Sequence, residues 1–285
     1  MKLVFFGTSY FAVSTLKVLH EEGHEICAAV TMPDQPAGRK QVVTPSPVKV
    51  AAKELNLAVF QPATLKDDEF FETFKSWGCH LAVVAAYGNI IPQEYLSEMK
   101  YGFLNIHPSL LPKYRGPSPI QTAVMNGEEV MGVTIMKLDK GIDTGPMLAQ
   151  IKFHPAPDET FTEIHNKLSA LGAELLVETI PEYISGRLKP ATQDDSQASI
   201  TTMIDREHAR IDWSRAPRNI YNLIRALNPE PGTWTTWQDK VLNIRSATLE
   251  NNELKIKTLQ LEGKKETSYK EFLNGYPNFK LSDCK

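Results

Sequence analysis

MKLVFFGTSYFAVSTLKVLHEEGHEICAAVT, residues 1–31, decides the fold. Lys2–Phe6 is an apolar run too short for a helix and is bounded by Gly7-Thr8, which reads as a buried strand. Phe11–Leu19 changes period: apolar residues fall at 13, 16 and 19, with 12 and 18 beside them, as on one helix face. Gly23 stops that helix, and Glu25–Thr31 is a second strand. Strand, helix and strand in this order predict a parallel pair joined by a crossover, and so an α/β sheet.

Working outward, Ala58–Phe60, Leu81–Ala86, Gly102–Ile106 and Val133–Leu138 are further strand candidates. Asp158–Gly186 reads as mainly helical, opened by a Thr160/Glu163 capping box and lined by Phe161, Ile164, Leu168, Leu171 and Leu175. Pro181 is expected to bend or interrupt it. Residues 187–205 lack large apolar side chains and are rich in Asp, Gln, Ser and Thr, the composition of a linker. Beyond it, Ala216–Leu227 is helical in spacing, and Val241–Leu249 and Leu254–Leu261 alternate around Asn251-Asn252 like a hairpin. The expected organisation is a domain over 1–186, a linker over 187–205 and a small β-rich domain over 206–285.

The chain of 285 residues is long enough for two domains, and its 42% hydrophobic content supports a real core. Its three cysteines are scattered and lack metal spacing, which argues for a reducing compartment. The N-terminal apolar run is too short for a signal peptide, and no stretch reaches the roughly 18 apolar residues of a membrane span. A cytoplasmic monomer with no membrane partner is expected. The net charge of −3 argues against a generic nucleic-acid binder. Residues 206–285 nonetheless hold 14 Lys/Arg against 10 Asp/Glu, a mildly basic part that suits either a polyanionic partner or an ordinary solvated surface.

Gly7-Thr8-Ser9 sits where nucleotide-binding folds keep a phosphate loop, but it lacks the G-x-G-x-x-G spacing, which argues against a dinucleotide cofactor. The richest segment is Phe103–Gly116. Asn105 and His107 are two apart at the end of an apolar strand, so both side chains leave the same face near the carboxyl edge of the sheet, where such folds place their sites. Prolines 108, 112 and 117 stiffen the loop beyond His107. Alone, the pair suits a structural histidine better than a catalytic one. Val133–Leu138 feeds Asp139-Lys140-Gly141-Ile142-Asp143-Thr144-Gly145, a turn that displays two carboxylates. Asp143 and Asp139 are equally placed by sequence to approach His107, or to serve the turn itself. An amide, an imidazole and a carboxylate with no nucleophile nearby can stabilise an oxyanion and move a proton, as direct acyl transfer to an amine requires. No histidine has metal-ligand spacing, so no metal is expected.

Five segments carry a resemblance. Gly7-Thr8-Ser9-Tyr10-Phe11-Ala12-Val13, Pro33-Asp34-Gln35-Pro36-Ala37-Gly38-Arg39 with Pro45-Ser46-Pro47-Val48-Lys49, Asn105-x-His107-x-Ser109-Leu110-Leu111-Pro112-x-x-Arg115-Gly116, Gly132-Val133-Thr134-Ile135-Met136, and Asp143-Thr144-Gly145 resemble, in order and spacing, the motifs of the methionyl-tRNA formyltransferase family. That family lies within the wider group that uses 10-formyltetrahydrofolate. The resemblance implies a Rossmann-like formyltransferase domain with a parallel-rich sheet and a small C-terminal β-barrel resembling an OB-fold. It implies Asn105, His107 and Asp143 as catalytic, with Asp143 orienting His107. It further implies Ser109, Leu110, Leu111 and Pro112 at the 10-formyltetrahydrofolate co-substrate, and Arg39 and Lys40 on methionyl initiator tRNA. Three departures stand out. Ser9 replaces the family's proline, the loop reads Gly38-Arg39-Lys40-Gln41 where the family has G-R-G-K-K, and only about three C-terminal strands are legible where a five-stranded barrel is the norm. Formylation of a small amine such as a nucleotide-linked amino sugar, hydrolysis of formyl-folate, and folate or RNA binding without catalysis are the alternatives.

Overall fold

The computed structural model describes residues 1–38 and 41–285. In chain order the elements are β1 (Lys2–Gly7), α1 (Tyr10–Glu21), β2 (Glu25–Val30), β3 (Gln35–Ala37), β4 (Val42–Thr44), α2 (Pro47–Glu54), β5 (Val59–Phe60), α3 (Asp68–Ser76), β6 (Leu81–Ala85), α4 (Gln93–Glu98), β7 (Phe103–His107), α5 (Pro119–Asn126), β8 (Met131–Lys137), β9 (Met147–Phe153), α6 (Phe161–Ile184), α7 (Pro217–Leu227), β10 (Trp234–Trp237), β11 (Lys240–Glu250), β12 (Glu253–Leu261), β13 (Thr267–Ser268) and α8 (Tyr269–Gly275). The chain packs as two units that interleave in sequence. The first takes Met1–Arg115, Gly132–Phe153 and His165–Ser199; the second takes Gly116–Met131, His154–Ile164 and Ile200–Lys285.

In the first unit seven strands form one sheet in the order β5-β2-β1-β6-β7-β8-β9. Pairing is parallel from β5 through β7 and turns antiparallel between β7 and β8. Leu3, Val4, Phe5 and Phe6 have no exposed surface, as expected of a parallel strand covered on both faces. Val4 and Phe6 join a cluster with Phe74, Tyr95 and Phe103. Gly7 sits where α1 leaves β1. A Cβ there would lie 2.8 Å from that of Ala12, so the glycine lets the helix pack close to the strand. Helix α6 continues through Pro181, so of the expected bend or interruption the interruption does not occur. Pro181 gives up one bond, from its own nitrogen to the carbonyl four residues before it, while its carbonyl still accepts from Ser185 N at 3.0 Å and the helix runs on to Ile184. The expected capping box is present: Thr160 N donates to Glu163 at 2.8 Å, and Thr160 Oγ1 accepts from Glu163 N at 3.5 Å. All three cysteines are free, Cys79 donating to the Cys27 sulfur at 2.8 Å.

The second unit holds a four-stranded antiparallel sheet, β10-β11-β12-β13, one strand more than was legible and one fewer than the family's barrel. Asn251 and Asn252 both take positive φ (50° and 63°), the conformation a two-residue hairpin turn needs. The outer edge of β10 is covered by a bridge from Arg210 to Trp234 and by Lys285, which exchanges two 3.0 Å backbone bonds with Thr236. Helices α5 and α7 pack together, and the buried Arg225 of α7 is satisfied by Glu159 O at 2.8 Å and Asn222 Oδ1 at 3.0 Å. Ile220 and Ile224 of α7 join Leu242, Ile244, Leu259 and Phe272 in its core. Among the described residues no helix is long and apolar enough to cross a membrane.

Candidate functional site

Strand β7 delivers Asn105 and His107, both buried, near the carboxyl edge of β6, where Asn105 pairs with Val84. Asp143 arrives by a route the sequence does not predict. Because β8 runs antiparallel to β7, its carboxyl end lies beside Leu104, with Lys137 opposite that residue and Thr134 opposite His107. The loop after β8 must therefore carry Asp143 back along the sheet. Gly145 permits this, since a Cβ there would collide with Lys137 O. Asp143 itself is held at φ +52°, a left-handed conformation that costs about 1–3 kcal/mol in a non-glycine residue.

The three side chains converge. Asn105 Nδ2 lies 3.5 Å from Asp143 Oδ1, and His107 Nδ1 lies 3.6 Å from Asp143 Oδ2. The ambiguity between the two carboxylates resolves in favour of Asp143. Asp139 instead caps its own turn, accepting from Gly141 N at 3.0 Å and Thr144 Oγ1 at 2.8 Å. The strongest hold on the imidazole comes from elsewhere: Nε2 lies 2.9 Å from the carbonyl of Tyr114. A carbonyl only accepts, so Nε2 carries a hydrogen and Nδ1 is the nitrogen turned toward Asp143. At 3.6 Å the carboxylate is beyond good hydrogen-bond distance, so the Tyr114 carbonyl is what fixes the ring. Tyr114, like Asp143, has positive φ (+59°).

The segment Ser109–Pro112 is largely occupied with its own structure. Ser109 is buried and donates from its hydroxyl to Lys113 O at 2.7 Å, while its carbonyl accepts from Thr134 Oγ1 at 2.7 Å. Leu111 is buried too, its amide donating to Thr134 Oγ1 at 3.2 Å and its carbonyl accepting from Gln150 at 2.8 Å. Leu110 and Pro112, half-buried, are the two of the four with surface left to meet a ligand. Arg39 and Lys40 lie outside the described residues. Earlier in the chain, Asp34 accepts from Lys49 and Gln61 at 2.7 Å each; the Lys49 ammonium foremost, then the Gln61 amide, hold its carboxyl below the usual range. At the phosphate-loop position three donors are already used within the protein. The amides of Thr8 and Ser9 point at Ala86 O (3.2 and 3.5 Å), and Thr8 Oγ1 donates to Tyr87 O at 2.6 Å.

Sequence reasoning missed three features. A cleft of about 440 Å³ opens beyond the carboxyl ends of β5 and β6, lined by Thr64, Leu65, Lys66, Gly88, Asn89 and Ile90 among others. The Tyr114 carbonyl carries no side-chain signature. Gln193, in the segment read as a linker, donates from Nε2 to the carbonyls of Asp143 (2.8 Å) and Gly145 (2.7 Å). Among the described residues no group of three or more His, Cys, Asp or Glu is arranged to hold a metal ion.

Two family models match: formyl transferase over residues 1–180 and the formyl transferase C-terminal domain over 203–255. The chain is 45% identical over 249 residues to a methionyl-tRNA formyltransferase of Chloroflexus aurantiacus, covering 87% of this chain and 80% of that one. It is 40% identical over 300 aligned positions to that of Halalkalibacterium halodurans, covering 96% and 95%. Among solved structures, the N-formyltransferase of Helicobacter canadensis, in complex with folinic acid and dTDP-3-aminofucose, shares the fold at a TM-score of 0.68 and 23% identity, covering 88% of each chain. A mostly parallel sheet bearing a converged amide, imidazole and carboxylate, matched by these models over most of its length, makes this chain a formyltransferase and a member of the formyl transferase family.

Proposed function

We propose that this protein transfers the formyl group of 10-formyltetrahydrofolate to the α-amine of methionyl initiator tRNA in the cytoplasm. The convergence of Asn105, His107 and Asp143 within 3.6 Å carries the reading, and the 45% identity to a methionyl-tRNA formyltransferase selects the acceptor. An α-amine has a pKa of about 7.7–8.0 in peptides, so a useful fraction is neutral and nucleophilic near pH 7. It attacks the formyl carbon directly, and no covalent enzyme intermediate is needed. Asn105 Nδ2 has two hydrogens, of which the Asp143 contact uses one, so the other is free for the developing oxyanion. His107 Nδ1, its ring held at Nε2 by the Tyr114 carbonyl, takes the proton that the attacking amine loses and gives it to the departing folate nitrogen, with Asp143 beside it to help pass the proton.

Residues 206–285, which carry a net positive charge, serve as the tRNA-binding part in this reading, with Arg39 and Lys40 meeting phosphates of the acceptor stem. Leu110 and Pro112 line the approach of the folate. The direct test is a formyl-transfer assay with three acceptors: initiator methionyl-tRNA, elongator methionyl-tRNA and a nucleotide-linked amino sugar. Preference for the initiator is expected. Turnover of the sugar amine with none of either tRNA would refute the acceptor assignment.

A further inference from the structure

We infer that Gln193 is a positioning residue for formyl transfer, setting the distance between Asp143 and His107 through a buried bridge to Arg115. This rests on the reading that Asn105, His107 and Asp143 carry the chemistry. Gln193 is 7% exposed, and its amide is fully committed. Both Nε2 hydrogens are used, on Asp143 O at 2.8 Å and Gly145 O at 2.7 Å. Oε1 in turn accepts from Arg115 Nε at 3.0 Å and Nη2 at 2.9 Å. Turning the amide over would set an oxygen against two carbonyls and an NH₂ against a guanidinium, so the four contacts allow one orientation.

The bridge connects the two halves of the site. On one side it grips the backbone carbonyl of Asp143 itself. On the other it ends on Arg115, the covalent neighbour of Tyr114, whose carbonyl holds His107 Nε2 at 2.9 Å. Both Asp143 and Tyr114 are non-glycine residues at positive φ, conformations that persist only where surrounding contacts impose them. The same stretch of chain supplies those contacts at Tyr114 too: Ser199 Oγ accepts from Tyr114 N at 2.8 Å and Ser199 O from Arg115 N at 2.9 Å. The stretch is anchored by Ala191, which exchanges two 2.8 Å backbone bonds with Met147, and by Asp195, which meets Arg115 Nη2 at 2.7 Å. A segment with linker composition is thus the frame across which the carboxylate and the imidazole are set.

The test is a cycle of Gln193→Met and Asp143→Asn. Methionine keeps the length of the side chain and loses all four hydrogen bonds. Gln193→Met is expected to lower the single-turnover rate of formyl transfer by roughly 10–100-fold, as a misplacement of about 1 Å does, with KM for tRNA and folate within about threefold of the parent. In the Asp143→Asn background the same change is expected to cost less than about threefold, because Gln193 acts through Asp143. Gln193→Asn serves as the second variant should methionine prevent folding, with circular dichroism confirming a folded protein at the assay temperature. Equal losses in both backgrounds, or a rise in KM with the rate unchanged, overturn the inference. If Asp143→Asn alone leaves the rate intact, the underlying catalytic reading fails; if Asp143→Asn abolishes transfer while both Gln193 variants match the parent, only the positioning role fails.

Discussion

Gly172→Ala sets two effects of known size against each other at the back of the site. Gly172 lies inside α6, and alanine there is favoured by helix propensity by about 1 kcal/mol. The new Cβ, however, would stand 2.7 Å from Ile106 Cγ2 and 3.2 Å from Val133 Cγ1. Neither methyl can swing aside: each is bonded directly to a Cβ of a β-branched side chain, and Ile106 and Val133 are at most 1% exposed. Overpacking of this kind costs about 1–3 kcal/mol. The two terms leave a net destabilisation of roughly 0–2 kcal/mol, measurable as a fall in the urea midpoint at constant slope. Ile106 sits between Asn105 and His107 on β7, so the displacement also reaches the site, and the formyl-transfer rate should fall. Adding Ile106→Leu, which removes the offending Cγ2, should recover part of both losses, a coupling on the order of 0.5 kcal/mol or more. A Gly172→Ala protein more stable than the parent by the full propensity gain, with an unchanged rate, would refute the close approach of α6 to β7.

Burial lowers the pKa of His165, which packs edge-on to Phe11 with ring centroids 5.5 Å apart. Its folded pKa lies below that of the unfolded chain, near 6.5, so the unfolded state binds the proton first as pH falls. The associated stability is complete above pH 6.5 and is lost as pH drops from there toward the folded value; His24 shifts the same way, mainly through burial. Urea titrations at several pH values should therefore show a shallower acid decline for His165→Gln than for the parent, and identical slopes would contradict the burial argument. A different prediction concerns salt. The kcat/KM for tRNA should fall steeply with ionic strength, and Arg39→Ala or Lys40→Ala should each flatten the logarithmic slope by about 1. Salt-independent turnover would count against phosphate contacts.

Sequence alone revealed the strands buried along most of their length, because burial on both faces favours apolar runs: β6 is wholly apolar, β1 and β2 are apolar inside their first residue, and β7 and β8 are apolar runs broken by Asn105, His107 and Thr134. Strand β9 did not, since beyond Leu148 its residues alternate between half-buried and exposed like an edge. Helices α3 to α5 span only six to nine residues each and leave too few turns for a period to emerge. The direction of β8 was not legible either. An apolar run carries no sign, and only the register of Lys137 against Leu104 shows that Asp143 must double back. Asn105 and His107 were placed by their spacing of two, which geometry enforces within a strand. The roles of Gln193 and the Tyr114 carbonyl had no such signal. In each contact one partner is a backbone carbonyl, which every residue has, and the separations are 50 and 7 residues.

The most direct measurement is the single-turnover rate of formyl transfer by an Asn105→Ala protein, with the affinity for a non-reactive folate measured alongside. Loss of one oxyanion donor should slow the chemical step by on the order of 10²–10³-fold with folate binding nearly intact. A parent-like rate accompanied by weakened folate binding would contradict the account, because Asn105 would then hold the co-substrate and leave the reacting carbonyl untouched.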